Sequence, residues 1–256
     1  TRQFGGEVDG EVELARAVRK VISRGADYVK VMAAGGGTPG TFSQYPSFTE
    51  SELRAIVETA HGLGKLVCAH CIATASIENA INAGVDLIEH ASFYGPNLIP
   101  QIDSRVAEKL AASGIPVTPT LQVNRDLVDL LDDGDERSMW QQRQETQREI
   151  VHKLQELGVT LLAGSDAGWR ATAFDTFWKE LDELVACGLR PVDAIHAATG
   201  AVTAALGYDD YGTIQAGQRA DVVVVDGDLA SDIRALQQVE MVIQHGQIVH
   251  RKPAQA

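Results

Sequence analysis

The chain has 256 residues, 45% hydrophobic and 22% charged, a balance that allows a substantial buried core and excludes disordered and fibrous classes. A formal charge of -13 argues against a nucleic-acid surface, because neutralising phosphates needs clustered Lys and Arg. The longest aliphatic run, Val222 to Val225, falls far short of the ~18 residues of a membrane span, and three cysteines fit a reducing compartment, so a cytoplasmic protein is expected.

The opening stretch TRQFGGEVDGEVELAR lacks the basic and apolar regions of a secretory signal. A start on Thr1 rather than Met points to processing or to a sequence that begins partway through a gene. From there one pattern recurs: a short apolar strand, a loop, then a helix that closes on Gly. The strands are expected at DYVKVMA (27–33), KLVCAHC (65–71), VDLIEHA (85–91), IPVTPTL (115–121) and VTLLAGS (159–165). Helices are expected near 50–63, 73–83, 103–113, 122–157 with an acidic break at DDGDE, 175–187 and 191–206. Thr49, three residues before Glu52, is a capping-box signature for the first of these. Near-continuous apolar strands suit burial on both faces of a parallel sheet, and their alternation with helices predicts an α/β fold. After residue 207 the texture changes to YGTIQAGQRADVVVVDGD and MVIQHGQIV, a separate small β element.

Four polar residues fall late in an apolar strand or in the loop after it: Lys30, His70, His90 and Asp166. In a β/α barrel the carboxyl ends of the strands open onto one face, so these side chains would converge. Two imidazoles, a carboxylate and a lysine form a plausible set for zinc or a similar divalent metal. A neutral lysine can also react with carbon dioxide to give a carboxylate-like carbamate, which would explain a lysine inside DYVKVMA. Each residue has a plainer reading as well: a snorkelling lysine, hydrogen-bonded core histidines, and a helix N-cap at Asp166.

Gly35, Gly37 and Gly40 match a dinucleotide pattern, but Pro39 intervenes and the next helix begins only near Thr49. A phosphate loop should open directly onto its helix, so a flexible active-site loop is expected here. Cys68 and Cys71 form a C-x-x-C within a strand, where alternation turns them to opposite faces, so redox chemistry is not expected.

The segments ADYVKVMAAGG, LVCAHC, DLIEHAS and LLAGSDAG, with the tail GTIQAGQRADVVVVDGD and VEMVIQHGQIV, resemble the amidohydrolase superfamily in its imidazolonepropionase-like and Xaa-Pro dipeptidase-like branch. The resemblance implies a TIM (β/α)8 barrel of metal-dependent hydrolase type. Only strands four to eight would be present, as a partial barrel over 1–207 followed by part of a β-sandwich over 208–256. It implies two zinc ions per complete site, bridged by carbamylated Lys30, with His70 and His90 as ligands. Asp166 would be both ligand and general base, and metal-activated hydroxide would cleave a C–N bond of an amide, peptide or cyclic amide. Substrate contacts are expected from Cys71, Tyr94, Gln122, Trp169 and Arg170, the last through a substrate carboxylate. Relatives carry an H-x-H pair on the first barrel strand, whereas the first histidine here is His61, so strands one to three are expected to be missing. Cys71 stands where relatives often have a histidine. The expected partners are a small-molecule amide or peptide and further copies of the chain, with no nucleic acid and no membrane. The alternatives are a catalytically inactive amidohydrolase-like binding or assembly module, which would hold no metal, and a nucleotide-dependent enzyme using the glycine loop.

Overall fold

The computed structural model describes residues 7–37 and 39–253. The chain packs as two compact units, Thr1–Thr118 with Lys153–Thr160, and Pro119–His152 with Leu161–Ala256. The boundary expected near residue 207 lies inside the second unit.

The first unit opens with α1 (Glu11–Ser23), which sequence reasoning missed, although Leu14, Ala17, Val18 and Val21 recur at helical spacing and Glu11 and Glu13 stand in its first turn. A parallel sheet follows in the order β1 (Tyr28–Met32), β2 (Leu66–Ala73), β3 (Leu87–Tyr94) and β4 (Val117–Thr118). Helices α2 (Glu50–His61), α3 (Thr74–Ala83) and α4 (Ser104–Ser113) connect the strands. Val67, Ala69, Ile88 and Phe93 are fully buried, as the continuous apolar runs predicted. The capping box at α2 forms as expected, with Thr49 Oγ1 accepting from Glu52 N–H at 3.3 Å and Glu52 Oε2 accepting from Thr49 N–H at 2.9 Å. Gly84 and Gly114 end α3 and α4 with φ of 79° and 72°, left-handed conformations that glycine adopts without strain.

Two expected strands fall short. The segment 115–121 keeps only Val117–Thr118, because Pro116 and Pro119 bracket those residues and neither has an N–H to continue the ladder. The segment 159–165 forms no strand: Thr160 O accepts from Val117 N–H at 2.9 Å, and a two-residue neighbour offers little more to pair with.

In the second unit α5 (Gln122–Leu130) and α6 (Asp135–Glu156) are separated at the acidic break as predicted; α6 runs on past the unit's boundary at His152. Next comes α7 (Trp178–Ala186). The expected helix 191–206 divides into α8 (Pro191–Ala197) and α9 (Gly200–Ala205), because Thr199 leaves helical geometry at φ -130° and ψ -98°. Then β5 (Val222–Val225), a 3-10 turn (Ile233–Gln237), β6 (Val239–Gln244) and β7 (Gln247–Arg251) complete the chain, the three strands forming an antiparallel sheet in that order. Among the described residues no helix is long and apolar enough to cross a membrane.

Candidate functional site

Three of the four metal-site candidates lie on adjacent strands of the parallel sheet: Lys30 on β1, His70 on β2 and His90 on β3. The register pairs Lys30 with Cys68, Met32 with His70, His70 with Glu89 and Cys71 with His90. Regular alternation would therefore put His70 and Glu89 on one face and turn His90 to the other. The backbone breaks that alternation. His90 takes φ 70°, and Ala91 and Phe93 follow at 47° and 54°, a left-handed run that non-glycine residues enter only when their surroundings hold them there. The outcome is that the two imidazole rings meet edge to face with centroids 4.4 Å apart.

Both histidines are buried. Burial, and then the positive charge of Lys30, push the His70 pKa down to about 4, against a weaker opposing effect from the Gly35 carbonyl, which lies 3.4 Å from Nε2. Burial, the neighbouring His70 and Lys30 hold His90 well below the ordinary imidazole range. Two neutral imidazoles at the end of a parallel sheet are in the protonation state that ligates a divalent cation. The loop after β1 is shaped to them. A Cβ on Gly36 would stand 2.6 Å from His70 Cε1 and 2.7 Å from Nε2, so only glycine lets the backbone pass. This glycine loop is held in place: Ser47 N–H donates to Ala33 O at 2.8 Å, and Gly35 N–H donates to Phe42 O at 3.3 Å.

Lys30 fits the plainer reading of a strand lysine that snorkels to solvent. Its side chain is 43% exposed and forms an ion pair with Glu89. Sequence reasoning missed Glu89, although a carboxylate beside His90 in an otherwise apolar strand was a usable signal. Lys30, Met32, Gly35 and Gly36 line a cavity of about 340 Å³ together with Leu14 and Val18 of α1. Cys71 is fully buried, its Sγ directed at Ser76 O at 3.6 Å and its thiol pKa pushed up to about 12 by burial. Tyr94 ends β3, half-buried, with its carbonyl near Thr74 Oγ1 at 3.4 Å.

The remaining candidates belong to the second unit. Asp166 stands in the loop before α7 with φ 53°, and its carbonyl accepts from Trp169 N–H at 3.2 Å. Arg170, also left-handed at φ 46°, lays its guanidinium 4.6 Å from the centre of the Trp169 ring. Gln122 is fully buried, and both hydrogens of its amide are committed, to Asp126 Oδ2 at 3.0 Å and Thr176 Oγ1 at 2.7 Å. The site residues therefore fall into two groups, Lys30, Cys71, His70, His90 and Tyr94 in one unit and Gln122, Asp166, Trp169 and Arg170 in the other. Among the described residues no three His, Cys, Asp or Glu side chains come together as a metal-holding group. The imidazole pair fits a divalent cation as two of its ligands.

Comparison with known proteins places these features in a family. The profile described as Amidohydrolase family matches residues 1–249. The ochratoxinase of Aspergillus niger is 30% identical over 240 residues, 91% of this chain and 48% of the relative. A solved Xaa-Pro dipeptidase with bound methionine superposes with a TM-score of 0.83 at 29% identity, covering 96% of this chain and 59% of that one. The solved A. niger ochratoxinase gives 0.81 at 29% identity, covering 97% and 56%. The chain thus spans about half the length of the curated relatives it matches. Its parallel α/β sheet is part of a barrel of the amidohydrolase TIM type, and by the extent of these matches the chain belongs to the Amidohydrolase family.

Proposed function

We propose that this chain is the metal-binding part of a hydrolase that cleaves the C–N bond of amides or peptides. The observation that carries the reading is the buried pair of neutral imidazoles, His70 and His90, held edge to face by a left-handed strand end. His70 and His90 would hold a divalent cation, with zinc the metal that best suits imidazole and carboxylate ligands. Lys30, as a carbamate, and Asp166 would complete the set. A cation bound there would acidify water and polarise the substrate carbonyl.

The rest is the work of the chain's own groups. The Asp166 carboxylate accepts the proton of the attacking water and passes it to the leaving amine. Arg170, its guanidinium over the Trp169 ring, offers a fork to a substrate carboxylate, as befits a relative of proteins named dipeptidase and ochratoxinase. Carbamylation of Lys30 requires it to leave Glu89, so the ion pair is the state from which the site is assembled. In the same reading 1–207 form the barrel part and 208–256 part of a β-sandwich. The three cysteines, free and buried, support a reducing compartment such as the cytoplasm. The open edge of β1 among the described strands supports assembly with further chain, from a longer protein or from another copy.

Metal content tests the reading. Purified protein equilibrated with zinc and desalted should retain the metal, and His70→Ala and His90→Ala should each weaken binding at least tenfold. Retention that is absent, or equal in all three proteins, favours an inactive binding module instead.

A further inference from the structure

Glu180, on α7, is fully buried, and its Oε2 accepts from Gln122 N–H at 2.7 Å. The same carboxyl group accepts from the N–H groups of Leu121 and Thr120. One side chain thus gathers three consecutive amides at the turn that starts α5, where Thr120 is left-handed at φ 54°. The residue that gives the last of these amides, Gln122, also carries a buried side-chain amide. The orientation of its amide is settled by chemistry: Thr176 Oγ1 gives its own hydrogen to Ala173 O at 3.1 Å and so must accept, and Asp126, ion-paired with Lys179, is a carboxylate that can only accept. The amide nitrogen therefore faces Thr176 and Asp126, and Gln122 Oε1 is left needing a donor. Both Gln122 Oε1 and Glu180 Oε1 are buried without a hydrogen-bond partner. Two orphaned acceptors beside one peptide would be costly, and a single hydrogen removes both deficits.

We propose that Glu180 is a neutral carboxylic acid in the folded protein, that its Oε1–H donates to Gln122 Oε1, and that this acid–amide pair is the positioning element of the turn 119–121. Burial raises the carboxyl pKa to about 8, the nearby Glu183 adds to this, and the backbone N–H groups oppose it. Charged groups on α7 and on the elements beside it form ion pairs. On α6 Arg148 holds Glu183; on α5 Asp126 pairs with Lys179 and Arg125 with Asp182, which also binds Arg234 of the 3-10 turn; next to α8 Arg190 pairs with Asp193. Cys187, at the end of α7, is buried and its thiol pKa is raised to about 12, and His196 lies on α8. Resting on the hydrolase reading above, the turn 119–121 follows a barrel strand at its carboxyl end, where such enzymes assemble their sites.

Between pH 4.5, the ordinary value, and about 8, the folded chain holds a proton that the unfolded chain has released. Stability from this group therefore falls as pH rises through that window and levels off above it. Glu180→Gln keeps the shape and supplies an amide N–H for Gln122 Oε1 but cannot ionise. Urea unfolding from pH 5 to 8 should show the wild-type unfolding constant rising relative to the Glu180→Gln constant by up to about tenfold per pH unit; parallel pH profiles overturn the proposal. At pH 6, Glu180→Ala should unfold at least tenfold more readily than Glu180→Gln, and equal constants would also overturn it. Should Glu180→Gln fail to fold, carbon-13 NMR of glutamate-labelled wild type decides: one carboxyl titrating with a midpoint near 8 is expected, and none titrating above 6 is refutation. None of these readouts requires hydrolysis, so a failed activity assay leaves this inference standing, and a failed titration leaves the hydrolase reading standing.

Discussion

Replacing Gly36 with alanine tests the candidate site directly. The added Cβ would stand 2.6 Å from His70 Cε1 and 2.7 Å from Nε2, roughly 0.8 Å or more inside the usual ~3.5 Å contact. The ring has little room to retreat, with His90 at 4.4 Å on one side and the Gly35 carbonyl at 3.4 Å from Nε2. Overpacking of this kind costs about 1–3 kcal/mol. Gly36 is not in the left-handed region, so alanine brings no backbone strain and gains about 0.4–1 kcal/mol by restricting the unfolded chain. The expected net loss is about 1–2 kcal/mol, read by urea unfolding of metal-free protein. In a His70→Ala background the clash is gone, and the same substitution should be neutral or slightly stabilising. A coupling of at least about 1 kcal/mol between the two positions is therefore expected. Equal effects of Gly36→Ala in both backgrounds would refute the close approach and the claim that glycine is needed there to seat the His70 ring.

Removing the α2 cap by Thr49→Ala should cost about 1 kcal/mol in urea unfolding while Thr49→Ser costs little, and equal losses would exclude the hydroxyl as the capping group. For His70, the folded pKa of about 4 lies below the ordinary 6.5, so the unfolded chain takes up the proton first as pH falls. Stability from this group is full above pH 6.5 and is lost toward pH 4, by about 3 kcal/mol in total. Proton NMR of the imidazole in metal-free protein should show the low midpoint, and a value at 6.5 would contradict it. Arg170→Ala should raise KM about tenfold for amides that carry a carboxylate and leave neutral amides unaffected; a similar rise for both classes would remove Arg170 from substrate recognition.

Much of the fold was legible because the features that encode it are local. The Thr49–Glu52 box, the glycine ends of α3 and α4 and the acidic break before α6 depend on hydrogen bonds and dihedral angles within a few residues, and all appear where the sequence puts them. Pro116 and Pro119 limit β4 to two residues by an equally local rule, since neither has an N–H to offer the ladder. The placement of His70 and His90 late in adjacent strands was readable from the apolar pattern. Their convergence was expected from the strand ends of a barrel, but the backbone that brings it about was not: in the observed register alternation sets residues 70 and 90 on opposite faces, and His90 takes a left-handed φ. The ion pair of Lys30 with Glu89, separated by 59 positions, and the meeting of Glu180 with Gln122 across 58 depend on which elements lie side by side. Residue order specifies what each segment can bond to within itself. Which charges are paired, and which acceptors are left wanting a proton, is decided only when packing brings distant segments together and shuts out the water that would otherwise have satisfied them.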